Sequence, residues 1–178
     1  NFAYRSYFHG GIKDLPSSDP SLLTPVDHTH LSAPLQSTAT RTLKMAVSSP
    51  IYSTTDANAC LGVLALTVEV GNFLTFAGTA EQFAVLVEGR DNGFRGAILH
   101  HPLFTRVFAE KGSLPARYSE YRVNLDEPLG EEQLYRDPLG QEPNGGQFDR
   151  EWIAATAEVD LMKSNGDRAG SGLVVLVQ

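Results

Sequence analysis

Cysteine is almost absent: Cys60 is the single one in 178 residues. No disulfide can form within the chain, which suits the cytoplasm and equally a bacterial exported domain large enough to rely on its core. Cys60 itself reads as a small buried hydrophobe or a loop residue. Long apolar runs are also missing. The longest, Leu61–Val70 and Leu173–Val177, are strand-sized and fall short of the roughly 20 residues that cross a bilayer as a helix. Positive charge is scarce, 14 Lys and Arg against 21 Asp and Glu for a net charge of −7. Non-specific binding to nucleic acid or to an anionic membrane needs the opposite balance. An initiator methionine is lacking too, since the chain begins at Asn1. It reads as an excised fragment whose targeting segment or membrane anchor lies outside it.

Catalytic signatures are equally thin. There is no Gly-x-Ser-x-Gly elbow, no Walker-type loop and no dinucleotide fingerprint. Asn144-Gly145-Gly146 runs into Gln147-Phe148 and not into the helix start that a phosphate cradle requires. One cysteine excludes thiolate zinc sites. Asp27, His28 and His30 read either as a metal-binding cluster or as a hydrogen-bonded loop. His100-His101 are adjacent, so on a strand their rings point apart. These absences predict a protein that is not an enzyme and carries no cofactor.

What is present is an ordinary globular mixture, 42% hydrophobic and 20% charged, which excludes disorder over most of the chain. The length allows one ordinary domain or two small ones. NFAYRSYFHGG at 1–11 predicts a short helical or turn segment that stops at the glycines. Residues 12–30, with Pro16, Pro20 and Pro25, predict a loop. Leu31–Ser37, broken by Pro34, reads as a short edge strand. Arg41–Ser49 and Leu61–Val70 predict an antiparallel hairpin with a longish loop, followed by a helical bridge around Asn72–Gln82. A second series begins with strand Phe83–Glu88, a turn at Arg90–Gly93 and a returning strand at Gly96–His100. A short helix near 103–111 leads into a long loop. Trp152–Met162 predicts a long strand, Asn165-Gly166-Asp167 a turn and Gly172–Gln178 its partner. The fold class is therefore α+β, antiparallel sheet with a few short helices.

Alternation gives each strand of the first hairpin two faces. Gly62, Leu64, Leu66, Val68 and Val70 form one row; Leu43, Met45 and Val47 form its counterpart. These apolar rows predict packing on a helix or a second layer. The opposite row holds Lys44, Ala46, Ser48, Ala65 and Thr67. Its small side chains with few hydrogen-bonding groups suit either a solvated face or the floor of a ligand cavity. Lys44 reads as a charge aimed at an anionic ligand or as a snorkelling surface lysine. Tyr4, Arg5, Tyr7 and Phe8 place a guanidinium among aromatic rings. That group suits a carboxylate clamp, or an Arg paired to a local acid with the aromatics in the core.

Several segments, in order, resemble Cache sensor domains. They are Tyr4-Arg5-Ser6-Tyr7-Phe8-His9-Gly10, His30-Leu31-Ser32-Ala33-Pro34-Leu35-Gln36-Ser37, Lys44-Met45-Ala46-Val47-Ser48-Ser49-Pro50-Ile51 and Leu61–Val68. Downstream, Ala84–Glu88 to Leu99–Pro102, Trp152–Ala155 and Gly172–Gln178 resemble strands of a second module. The resemblance implies a PAS-like fold, antiparallel β-sheets flanked by short helices. It implies a partial membrane-distal module over 1–73 and a membrane-proximal module over 74–178. It further implies an extracytoplasmic sensing domain of a bacterial transmembrane receptor, a Ser/Thr or histidine kinase, attached to the membrane through segments outside this chain. The implied ligand is a small carboxylate or amino-acid-like molecule, and the ligand-binding residues are Tyr4, Arg5, Tyr7, Phe8, His30, Ser32, Lys44, Ala46, Ser48 and Thr67. Arg5, Tyr7 and Phe8 match the Arg-x-aromatic segment of the amino-acid-binding subset. The acid that holds a ligand ammonium there is replaced by Thr67, so Arg5 with Lys44 favours a carboxylate. No nucleic-acid partner is implied, and homodimerisation stays open. Two rivals stay open as well: a structural or adhesion ectodomain without a cavity, and a small metal-dependent hydrolase using Asp27, His28 and His30.

Overall fold

The computed structural model describes residues 3–16, 23–37, 40–70, 81–126, 134–162 and 168–178. The chain divides into two compact units. The first comprises Asn1–Leu35, Lys44–Glu69 and Asp91–Gly93, the second Gln36–Leu43, Val70–Arg90 and Phe94–Gln178.

In the first unit, Ser6–His9 forms a single helical turn, α1, closed by Gly10 at φ 72° with its N–H donating to Ser6 O. The left-handed backbone there favours glycine, and a Cβ would press on Val26 Cγ1 at 3.2 Å. Asp14 returns from the following loop, and its Oδ1 accepts the Ser6 N–H at 2.8 Å, satisfying one of the orphan amides of the helix start. His30–Leu31 (β1), Leu35–Gln36 (β2), Leu43–Tyr52 (β3) and Cys60–Glu69 (β4) make a four-stranded sheet in which β3 pairs with the other three. The expected edge strand is thus two short pieces, separated around Pro34, which has no N–H for a ladder. The β3–β4 hairpin is antiparallel as expected, with Lys44 opposite Glu69, Ala46 opposite Thr67 and Ser48 opposite Ala65.

The expected burial of this hairpin holds only in part: Leu43, Met45 and Val70 of the apolar row are buried, but the middle of that row is not. Leu64 and Leu66 are 56% and 63% exposed and Val47 is exposed too, while Ala46 and Ser48 on the other face are closed off from solvent. The reason lies in hydrogen bonding. Ser32 Oγ accepts the Ala46 N–H at 2.8 Å and donates to Ala33 O at 2.8 Å; Ser48 Oγ donates to His30 O at 3.4 Å. Hydroxyls satisfied in this way cost little to bury, and small side chains let covering chain approach closely. Alternation shows that two faces differ, not which one is covered.

In the second unit, Ala84–Glu88 (β5), Ile98–His100 (β6), Ala155–Met162 (β9) and Arg168–Val177 (β10) form a sheet of order β6-β5-β10-β9, its pairs antiparallel. All five residues of β5 are buried, the mark of a strand covered on both faces. Pro102–Lys111 (α2) follows His101, whose Nδ1 accepts the Leu103 N–H, and ends at Gly112 in the left-handed region. Proline in its first turn and Lys111 in its last fit helix-end chemistry. A 3-10 helix spans Ala116–Glu120. Val85, Val87, Ile98, Leu103, Val107, Leu139, Phe148, Trp152 and Leu176 belong to one hydrophobic core.

Trp152 does not open the long strand expected over 152–162. Glu151–Trp152 (β8) pairs with Tyr135–Arg136 (β7), and β9 starts at Ala155. The indole is drawn into the core, where its Nε1 donates to Phe148 O at 3.1 Å and Phe83 meets it edge-on. The chain then leaves β7 and joins β10. β10 begins before the expected Gly172 and carries a register shift between Gly170 and Leu173, with Gly172 at φ 72° where the Arg90 side chain crosses it. The turn expected at Asn165–Asp167, and the bridge expected at 72–82 apart from Glu81 and Gln82, lie outside the described residues.

Candidate functional site

Opposed residues in an antiparallel sheet share a face. His30 lies opposite Ser48, Ser48 opposite Ala65, Ala46 opposite Thr67 and Lys44 opposite Glu69. Ser32 N donates to Ala46 O, which puts Ser32 beside Ala46. Six of the ten candidate ligand-binding residues (His30, Ser32, Lys44, Ala46, Ser48 and Thr67) therefore share one face of three strands. Of these, Ser32, Ala46 and Ser48 are buried, His30 and Lys44 are partly covered, and Thr67 is exposed.

The other four, Tyr4, Arg5, Tyr7 and Phe8, are half-buried on or beside α1. This helix packs against β4, and its Ser6 Oγ accepts the Ala33 N–H at 3.0 Å. Arg5 Nη1 donates to Asp14 Oδ2 at 2.7 Å, with about a third of each side chain exposed. The guanidinium also lies 5.1 Å from the centroid of the Tyr4 ring. Burial opposes its charge, but the hydrogen bond and attraction of Asp14 outweigh this and raise its pKa. Burial likewise raises the pKa of Tyr7, against the pull of Arg5. Lys44 Nζ is 3.1 Å from Glu69 Oε1.

Both candidate cations thus have an internal carboxylate. The Lys44–Glu69 pair follows from the hairpin register, which sets the two residues opposite each other. Asp14 was harder to find, because nothing in a proline-rich loop marks one acid as a returning helix cap. Chemically, the arrangement is an exchangeable clamp: a guanidinium on a weak, partly solvated pair, which a stronger carboxylate could take over. Asp27 and His28 form an exposed pair in which the hydrogen bond from His28 lowers the Asp27 pKa. Among the described residues no group of three or more His, Cys, Asp or Glu side chains is placed to hold a metal.

The second unit holds buried polar chemistry that the sequence did not signal. His101 is fully buried, and its Nε2 lies 3.0 Å from Asp137 Oδ2. Because its Nδ1 accepts the Leu103 amide at 3.0 Å, the proton of neutral imidazole sits on Nε2 and points at Asp137. Asp137 also accepts from Leu139 N at 2.8 Å and Gln178 Nε2 at 2.9 Å. Burial pushes its pKa up, but His101 and these two donors together hold it below the usual value. With Phe83, Phe104 and Phe148 around the imidazole, the pair has no access for a substrate and serves to anchor α2. Neighbouring His100 is partly exposed, and burial, then His101, lowers its pKa.

Two surface clefts of this unit are lined by described residues. One, of about 350 Å³, has Arg90, Arg95, Leu125, Thr156, Glu158 and Val174 in its walls. Arg90 there is held by buried Glu88 through Nε at 2.8 Å and Nη2 at 2.7 Å, and Arg95 by Asp126 and Gly89 O. The other, of about 580 Å³, is walled by Glu81, Arg150, Trp152, Ile153, Val177 and Gln178, with the Arg150 guanidinium 3.8 Å from the Trp152 ring centroid.

Comparison with known proteins yields no relative: no family model matches the sequence, and neither a curated protein nor a solved structure matches the chain.

Proposed function

We propose that this chain is an extracytoplasmic small-molecule-sensing domain of Cache type, with PAS-like modules, from a transmembrane signalling receptor, and that it binds a small carboxylate or amino-acid-like ligand. One observation carries the reading: His30, Ser32, Lys44, Ala46, Ser48 and Thr67 share a sheet face, and α1, with its Arg5–Asp14 pair, packs against the same hairpin. Ser32, Ala46 and Ser48 give that face its small, hydroxyl-bearing character, and Arg5 supplies the charge that recognises a carboxylate in two-pronged fashion.

Without ligand, Asp14 occupies Arg5 and also caps α1. A ligand carboxylate competes for the guanidinium, releases Asp14 and loosens the cap. Binding and the position of α1 are then linked by differential contacts, which is what a population shift requires. The output passes to a catalytic domain outside this chain, so the domain itself performs no chemistry.

The test is a thermal-shift series with small mono- and dicarboxylates, since a ligand that binds the native state raises its apparent stability. The expected result is stabilisation of the wild type, its loss in Arg5→Ala, and binding tightened about tenfold or less in Asp14→Asn, which frees Arg5. Stabilisation that survives in Arg5→Ala, or a wild type indifferent to every carboxylate, rejects the clamp. The internal pairing of Arg5 with Asp14 and Lys44 with Glu69 favours the second reading, a structural or adhesion ectodomain, and the indifferent wild type would select it.

A further inference from the structure

Sheet edges carry unpaired N–H and C=O groups, and proteins blunt them with short strands, proline or charge. The described edges of this chain follow that rule with one exception. β1 and β2 have two residues each and are separated around Pro34; β6 has three; β9 presents exposed Glu158 and Asp160. β4 has ten residues, Cys60–Glu69, no proline, and a single charge at its very end. Among the described residues it pairs with β3 alone. Its Leu64 and Leu66 are the exposed large hydrophobics described above.

We infer that the free edge of β4 is a dimerisation edge that pairs with β4 of a second copy of this chain, antiparallel and centred on Ala65. The sequence of the strand selects the occupant and the register. Joining two sheets so that their faces continue requires partners of the same parity. Centring on Ala65 places Leu64 opposite Leu66 of the second copy and Leu66 opposite its Leu64, two large apolar cross-strand pairs. Val63 then meets Thr67, Gly62 meets Val68, and Glu69 meets Leu61, so no like charges oppose each other. Centring on Leu64 would keep one leucine pair and waste Leu66 against Gly62. The strand is its own complement, and the joined leucine rows extend over both copies. This inference rests on the edge alone and stands whether or not the first unit binds a ligand.

Sedimentation of the full 178-residue chain tests it, with a dimer of twice the 19.3 kDa protomer expected at high concentration. The double variant Leu64→Lys/Leu66→Lys sets lysine opposite lysine at both pairs and is expected to be monomeric. Both sites are exposed, so its thermal midpoint should stay within a few degrees of the wild type. Mixing it with Leu64→Glu/Leu66→Glu should restore a heterodimer, which an unfolded variant could not do. In a Cys60→Ser background, Ala65→Cys should cross-link on oxidation. Leu61→Cys should not, because eight positions of offset separate its two copies by about 27 Å. A wild type monomeric at every concentration, a dimer that survives the double lysine change, or cross-linking at 61 and not at 65 would each overturn the inference.

Discussion

β5 of the second unit buries all five of its residues, while β4 of the first unit, twice as long, buries none of its ten. The two strands are similarly apolar in sequence, and what differs is the supply of covering chain. The second unit brings α2, the 3-10 helix and the 134–154 stretch to its sheet, with Phe83 meeting both Phe148 and Trp152 edge-on. The first unit has one turn of helix and, besides Met45 and Val26, buries mainly small residues, Ala3, Ser6, Ser32, Ala33, Ala46 and Ser48. Large side chains build a core whose removal is costly. Small satisfied ones build a thin, adaptable layer and leave apolar surface outside. The contrast divides the chain into one unit with a core of large side chains and one that leaves apolar surface outside.

The largest break in that contrast should come from Trp152→Ala. The indole is 6% exposed, bonded to Phe148 O and stacked under Arg150, so its loss should cost the second unit roughly 3–5 kcal/mol. Chemical denaturation followed by far-ultraviolet dichroism checks this. A loss under about 1 kcal/mol would mean that the second unit does not depend on its aromatic centre.

A smaller effect should appear with pH, and the buried carboxyls behind it lie in the second unit. The carboxyls of Asp137 and Glu142 have pKa values below their ordinary ones: Asp137 through His101, Leu139 and Gln178 against the effect of burial, and Glu142 through the hydrogen bond from Arg117, against burial and with Tyr121. A depressed carboxyl contributes stability that is full above its unfolded pKa, about 4, and lost as pH falls through the folded value. His100 has a lowered pKa as well, so it adds an earlier and smaller loss below about pH 6.5. Fluorescence of Trp152, the single tryptophan, should therefore report two steps of acid destabilisation. His100→Gln should flatten the upper step and Asp137→Asn the lower one. Unchanged steps in both variants would place the titration elsewhere.

Much of this architecture was legible because turn chemistry and period are local. Gly10 closes α1, Pro34 separates β1 from β2, and the alternation of 41–49 and 61–70 gives the hairpin, though not its register. The candidate face was legible for the same reason, since partners across a hairpin share a side. What was not legible depends on chain arriving from a distance. Burial of Ala46 and exposure of Leu66 depend on which segment covers the sheet. The break after Trp152 depends on a core built by residues 83, 148 and 176. Asp14 and Asp137 took their roles through loops that carry no pattern, and His101 became a helix cap only because Pro102 starts α2.

The central claim is that Ser48, on the small-residue face of the first sheet, is covered, and that Leu64 and Leu66 on the opposite face look out. Thiol labelling of the native protein tests this directly, using Ser48→Cys and Leu66→Cys in a Cys60→Ser background. The account predicts prompt labelling at 66, and labelling at 48 only on unfolding. Prompt labelling at 48 together with protection at 66 would contradict it.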